Sequence, residues 1–234
     1  MTERERILSF QDVTLPKGTG HDSDVESLSF DLDRGAFLVV RVEARSPRLS
    51  LADGAGGLIA PAAGRIFFKG DDWQRIGPER AAAHRARIGR IFEGGGWISN
   101  LNVTENVALA QLHHSKLPPA AIYEEADRLA ALFGLDGVPA ARPPWVAPDD
   151  LCRAGWVRAL LGAPDLLIFE RPLHEVRHEF GTLLVDAVQA ALDRGAAAMV
   201  TTSAADRWSK IEARTRLDFS VSGSTLVPCS ETDA

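Results

Sequence analysis

Two short apolar runs constrain this chain most. Ala36 to Val42 (AFLVVRV) and Leu166 to Phe169 (LLIF) carry a single charge between them. Strands with one wet face alternate polar and apolar residues; strands covered on both faces do not. Both runs therefore predict strands of a buried core sheet. Further strands are expected at Ile7 to Val13, at Ser27 to Leu32, at Gly64 to Gly70, in a strand that ends in Arg90-Ile91-Phe92, at Ala197 to Thr201, at Leu217 to Val221 and at Thr225 to Val227. Helical spacing runs from Asn102 to His114 and from Pro118 to Phe133, where Ile122, Ala126, Leu129, Leu132 and Phe133 share a face. Pro118 and Pro119 suit a helix start, and Gly134 suits its stop. Helices are also expected at Asp149 to Leu161 and at about Glu175 to Asp193. The pattern predicts one α/β domain over residues 1–234, with a helical lobe at approximately 98–162 inserted in its core.

With 234 residues, 45% of them hydrophobic, the chain can bury a substantial core. The net charge of −6 gives no basic excess, so no nucleic-acid partner is expected. The longest apolar stretch, Ala159 to Phe169, is broken by Pro164 and Asp165, so no membrane insertion is expected. Met1 to Arg6 is charged, with no apolar run behind it to read as a secretory leader. Two distant cysteines, Cys152 and Cys229, fit a reducing compartment.

Three segments carry a family resemblance. Gly57-Leu58-Ile59-Ala60-Pro61-Ala62-Ala63-Gly64-Arg65-Ile66, Leu101-Asn102-Val103-Thr104-Glu105-Asn106-Val107, and Arg158-Ala159-Leu160 with Pro164 follow in the order and spacing of a known set. Together they resemble the ATP-binding subunit of an ABC transporter over nearly the whole chain. The resemblance implies an ABC-type P-loop NTPase fold, with N-terminal antiparallel β strands, a mixed or parallel core sheet and the helical lobe. Phe92-Glu93-Gly94-Gly95-Gly96-Trp97 looks most like the Mla/Mce lipid-transport branch.

In that register the catalytic positions are substituted. The phosphate loop reads Val42-Glu43-Ala44-Arg45-Ser46-Pro47-Arg48-Leu49-Ser50, without a glycine. A phosphate cradle needs inward backbone N–H groups, some at positive φ, and Pro47 removes one N–H. Arg48 stands at the lysine position and Leu49 at the magnesium-binding hydroxyl, with Ser50 one residue late. Glu93 replaces the magnesium-contacting glutamine. The strand that should end Asp-Glu-Pro reads Glu170-Arg171-Pro172, and an arginine cannot act as general base. The signature loop reads Val146-Ala147-Pro148-Asp149-Asp150, Thr202 or Ser203 replaces the switch histidine, and no aromatic lies at Leu15 to Gly20 to stack on adenine. Arg48, Leu49, Ser50 and Glu93 are thus expected to be a vestigial nucleotide site, with Glu170, Arg171 and Thr202 as degenerate catalytic positions. No cofactor is expected; ATP and magnesium enter only if the substituted residues still work as an active ATPase.

The resemblance further implies a peripheral protein on the inner face of the cell membrane, docked on an ABC permease through residues 93–101. Gly96, Trp97 and Ile98 are the candidate docking residues, a flexible glycine run before an exposed Trp-Ile pair; the equal alternative is that Trp97 tucks into the core of the helical lobe. A homodimer, a heterodimer with an active ATPase, or a free-standing scaffold that kept the fold are the assemblies it allows. Other features have plainer readings. His174-Glu175-Val176-Arg177-His178 matches a zinc-protease pattern, which would need both histidines on one helix face. Arg41, Arg45 and Arg48 suggest an anion site or, more simply, salt bridges to Glu43 and Asp53. Cys152 is expected in the core, and His113-His114 at a helix end.

Overall fold

The computed structural model describes residues 5–16, 25–44, 48–174, 176–222 and 224–229. The chain runs β1 (Arg6–Leu15), β2 (Val25–Asp33), β3 (Ala36–Arg41), α1 (Leu51–Ala55), β4 (Ala63–Phe68), β5 (Asp71–Asp72), α2 (Pro78–Arg85) and β6 (Ile88–Ile91). Then follow α3 (Val103–His114), α4 (Pro119–Leu132), α5 (Pro148–Leu160), β7 (Leu166–Glu170), α6 (His178–Asp193), β8 (Ala197–Thr202), β9 (Thr215–Ser222) and β10 (Thr225–Pro228). Short 3-10 turns lie at Pro143–Trp145 and Ala205–Trp208.

These strands make two sheets. One is antiparallel, ordered β2-β1-β4-β5; the other is ordered β10-β9-β3-β8-β7-β6 and is parallel except for β10. In the second sheet the apolar runs behave as a two-sided core demands. Phe37, Val39, Leu167, Phe169, Ala198 and Val200 face one core cluster. Their neighbours Leu38, Val40, Leu166, Ile168, Ala197 and Met199 face another, shared with the antiparallel sheet. Side chains of successive residues point to opposite faces, so uninterrupted apolar sequence fills both.

Helices α3, α4 and α5 lie in sequence between β6 and β7. Asn102 caps α3 through a reciprocal box with Glu105. Gly134, at φ +69°, turns the chain out of α4. The segment against α5 leaves no room for a side chain: a Cβ at Gly89 of β6 would overlap the Ala159 carbonyl.

Candidate functional site

Three elements, α1, β6 and β7, and the segments beside them bring charge to one end of the parallel sheet. In the β6–β7 register Arg90 lies opposite Ile168, so Glu170, two residues further along β7, points to the same face. Arg90 donates to Glu170 Oε2 through Nε at 3.0 Å and Nη2 at 2.8 Å. Both side chains are nearly buried, 8% and 6% exposed. Asp53 of α1 sits beside Arg90 Nη1. Arg48 reaches the other Glu170 oxygen at 3.3 Å and Glu93 Oε2 at 3.6 Å. Arg171 Nε lies 3.3 Å from Glu93 Oε1. Its two terminal nitrogens donate to the carbonyls of Ala44 and Glu43, each at 3.0 Å. Three guanidinium groups thus interleave with three carboxylates.

The backbone adapts to this arrangement. Arg171 has φ +47°, a left-handed conformation that strains a residue with a side chain. Leu49 is buried in the core beneath. Ser50 is fully buried, and its hydroxyl has no hydrogen-bond partner among the described residues. Thr202 ends β8, and its hydroxyl accepts from the Ala204 N–H at 3.0 Å. The gap among Arg48, Glu93, Glu170 and Arg171 has a volume of about 10 Å³, about the space of one water.

These residues do not fit a magnesium nucleotide as they stand. A metal needs carboxylate or hydroxyl oxygens, but both oxygens of Glu170 and of Glu93 already face guanidinium nitrogens. Three arginines would repel the ion. Leu49 presents no ligand atom. Arg45, Ser46 and Pro47 of the loop lie outside the described residues, as do residues 17–20 of the adenine-stacking stretch.

The other sequence candidates separate. Asp149 and Asp150, at the signature position, open α5 and pair with Arg153 of the same helix. Arg153 also donates to the Phe133 and Gly134 carbonyls. The zinc pattern fails on geometry: His174 lies in a turn and His178 is the first residue of α6, so the two do not share a helix face. Glu175 lies outside the described residues, among which no cluster of metal-ligating side chains occurs. The ion pairs of Arg48 are with Glu93 and Glu170, across the site, rather than with Glu43 and Asp53 on a solvated face. Cys152 is only partly buried.

The glycine run is built rather than loose. Gly94, Gly95 and Gly96 have φ of +77°, +84° and +57°, a conformation natural only to glycine. Arg158 of α5 donates to the Gly95 and Gly96 carbonyls and stacks 4.3 Å from the centre of the Trp97 ring. The expected exposed Trp-Ile pair is split: Trp97 packs half-buried against the main core cluster, whereas Ile98 is 43% exposed. The physical reason is the flat cation face that Arg158 offers the indole. Asn106 fixes the segment beyond. Its amide accepts from the Ile98 N–H at 2.8 Å and donates to the carbonyls of Ile98, Leu101 and Asn102.

Sequence reasoning passed over Arg90, the centre of the charge network. The available signal was a charged residue in a strand otherwise continuous with the core.

Strand order and inserted helices define an α/β protein with the ATP-binding-cassette fold. A dimeric cassette, MJ0796, in a post-hydrolysis state bound to ADP and Pi superposes with TM-score 0.80 at 15% identity, over 94% of this chain and 96% of that one. An ATP-binding subunit of an ABC transporter gives 0.79 at 17% identity, over 97% and 91%. No family model matches the chain. Among curated proteins, the intermembrane phospholipid transport system ATP-binding protein MlaF of Escherichia coli K12 is 26% identical over 166 residues, 71% of this chain and 61% of that protein. The phosphonates import ATP-binding protein PhnC of Rhodopseudomonas palustris BisB5 is 28% identical over 178 residues, 72% of this chain and 65% of that protein. The chain spans under two thirds of the length of these relatives. The chain thus has the ATP-binding-cassette fold and is similar in sequence to MlaF and PhnC. No helix among the described residues is long and apolar enough to cross a membrane.

Proposed function

We propose that this chain is a non-hydrolysing ABC-type subunit of a membrane transporter, retained for its contacts rather than for ATP turnover. One observation carries the reading: Arg48, Arg90 and Arg171 pair with Asp53, Glu93 and Glu170, and the gap left among Arg48, Glu93, Glu170 and Arg171 is about 10 Å³, which supports a site closed to a nucleotide and its metal. Arg171 stands at the general-base position, where a guanidinium offers donors and no acceptor for the proton of an attacking water. The likeness to MlaF favours lipid as the cargo of the whole assembly. The chain would sit on the cytoplasmic face of the membrane, with its 93–101 segment against a permease and a second cassette, its own copy or an active one, beside it.

Calorimetry and phosphate release on the purified chain test this. Mg-ATP should bind no tighter than about millimolar, roughly 4 kcal/mol of affinity, and phosphate release should stay at background. Micromolar binding, with hydrolysis that disappears in Arg48→Ala, would establish an active ATPase with substituted residues. Fractionation of native cells tests the partner. A chain that never sediments with membranes would instead be a free-standing protein that kept the fold.

A further inference from the structure

Beside the charge network, between the glycine run and α5, lies a cavity of about 390 Å³. That is the size of a small-molecule site rather than of a few trapped waters. Glu93, Glu170 and Arg171 line its edge, and most of the remaining wall is apolar, including Phe92, Trp97, Val146 and Leu151. Arg158 also lines it. Its hydrogen bonds go to two backbone carbonyls and its face to Trp97, and among the described residues no carboxylate pairs with it. The arginines of the neighbouring network, in contrast, are each matched by carboxylates. Burial pushes the Arg158 pKa down to about 10, which leaves it charged at neutral pH. A half-buried charge without a counter-charge is costly, and an anion entering this cavity would supply one.

We propose that this cavity binds a small amphiphilic monoanion, with its acidic group on Arg158 and its apolar body against Val146, Leu151 and Trp97. Orientation by one charged group inside an apolar wall is the usual construction of such sites. The inference does not rest on the nucleotide reading: the ligand is neither a nucleotide nor metal-bound, and its acidic group sits on Arg158 rather than in the charge network at the cavity's edge.

Two dyes of nearly the same shape test it on the full chain. Anilinonaphthalene sulfonate carries the acidic group; phenylnaphthylamine lacks it. The sulfonate should bind at one site per chain with micromolar affinity, and the neutral dye about tenfold more weakly. Decanoate should displace the sulfonate, decanol should not, and Mg-ATP should not. Arg158→Gln should remove the preference for the anion, whereas Arg158→Lys should retain part of it. Cys152→Phe, which fills the cavity and leaves Arg158 in place, should reduce binding of both dyes at least tenfold while the protein still melts cooperatively. Equal binding of the two dyes, binding untouched by Cys152→Phe, no saturable site, or displacement by Mg-ATP would each overturn the proposal. Only the last would also count against the non-hydrolysing reading, so the two can fail separately.

Discussion

Arg90 holds Glu170 through two nitrogens, Nε at 3.0 Å and Nη2 at 2.8 Å, in a bidentate grip between adjacent parallel strands. The same guanidinium reaches Asp53 on α1 with its third nitrogen. Arg90 thereby ties β6, β7 and α1 together. Two buried ions are costly to desolvate; here the second Glu170 oxygen faces Arg48 and the third Arg90 nitrogen faces Asp53.

Glu170 should therefore behave as a structural residue. Glu170→Ala leaves Arg90 buried without its main partner, and should lower unfolding free energy by about 3–5 kcal/mol. Arg90→Met with Glu170→Leu should recover most of the loss, because a matched apolar pair removes both charges. Denaturant titration measures both. An unchanged midpoint in Glu170→Ala would mean that the network contributes no stability.

Asn106 is 5% exposed and makes four bonds to the segment before α3. Asn106→Ala abandons several backbone groups at once and should cost roughly 1–3 kcal/mol. Hydrogen exchange at Ile98 should accelerate well before the core strands respond. Uniform protection across the segment in this variant would contradict the assignment.

Trp97 and Ile98 should respond oppositely. Trp97→Ala removes a half-buried ring from Arg158 and the core, and should cost about 1–2 kcal/mol, less than the 3–5 of a fully buried aromatic. Ile98→Asp changes an exposed side chain and should shift stability by under about 0.5 kcal/mol. If the 93–101 segment docks on a permease, Ile98→Asp should move the protein out of the membrane fraction at an unchanged melting temperature. Retention of that variant on membranes would remove the segment from the interface.

Asp165 sets an acid limit. Burial pushes its carboxyl up, but hydrogen bonds from Arg87 and Lys69 more than offset this, and the net shift is downward. Lys69 follows β4 of the antiparallel sheet, so the carboxylate links the two sheets. A folded-state value below the unfolded one adds stability above the ordinary aspartate range, near about pH 4, and loses it as pH falls through the folded value. Asp165→Asn should flatten the pH dependence of the melting temperature below about pH 4. An equally steep acid limb in the variant would place the sensitivity in other carboxylates.

The sequence by itself determined the fold of this protein. The runs at Ala36 to Val42 and Leu166 to Phe169 could only be strands covered on both faces, and the Pro–Gly boundaries of α4 were local backbone chemistry. The segment at Leu101 to Val107 was legible from helical spacing, and the structure adds a capping box of Asn102 and Glu105 that acts within four residues. The site was legible as a set of substitutions, since Arg48, Glu93, Glu170 and Arg171 stood where other residues were expected. What those substitutions do together was decided only in three dimensions. Arg90 and Glu170 are 80 positions apart, and nothing local to either names its partner. Strand register alone puts them on one face. Trp97 followed the same rule: its exposure depended on Arg158, which α5 carries back across it from 61 residues later. Long-range pairing of charges and rings follows from how sheets and helices pack, and that is settled by the whole core rather than by any one segment.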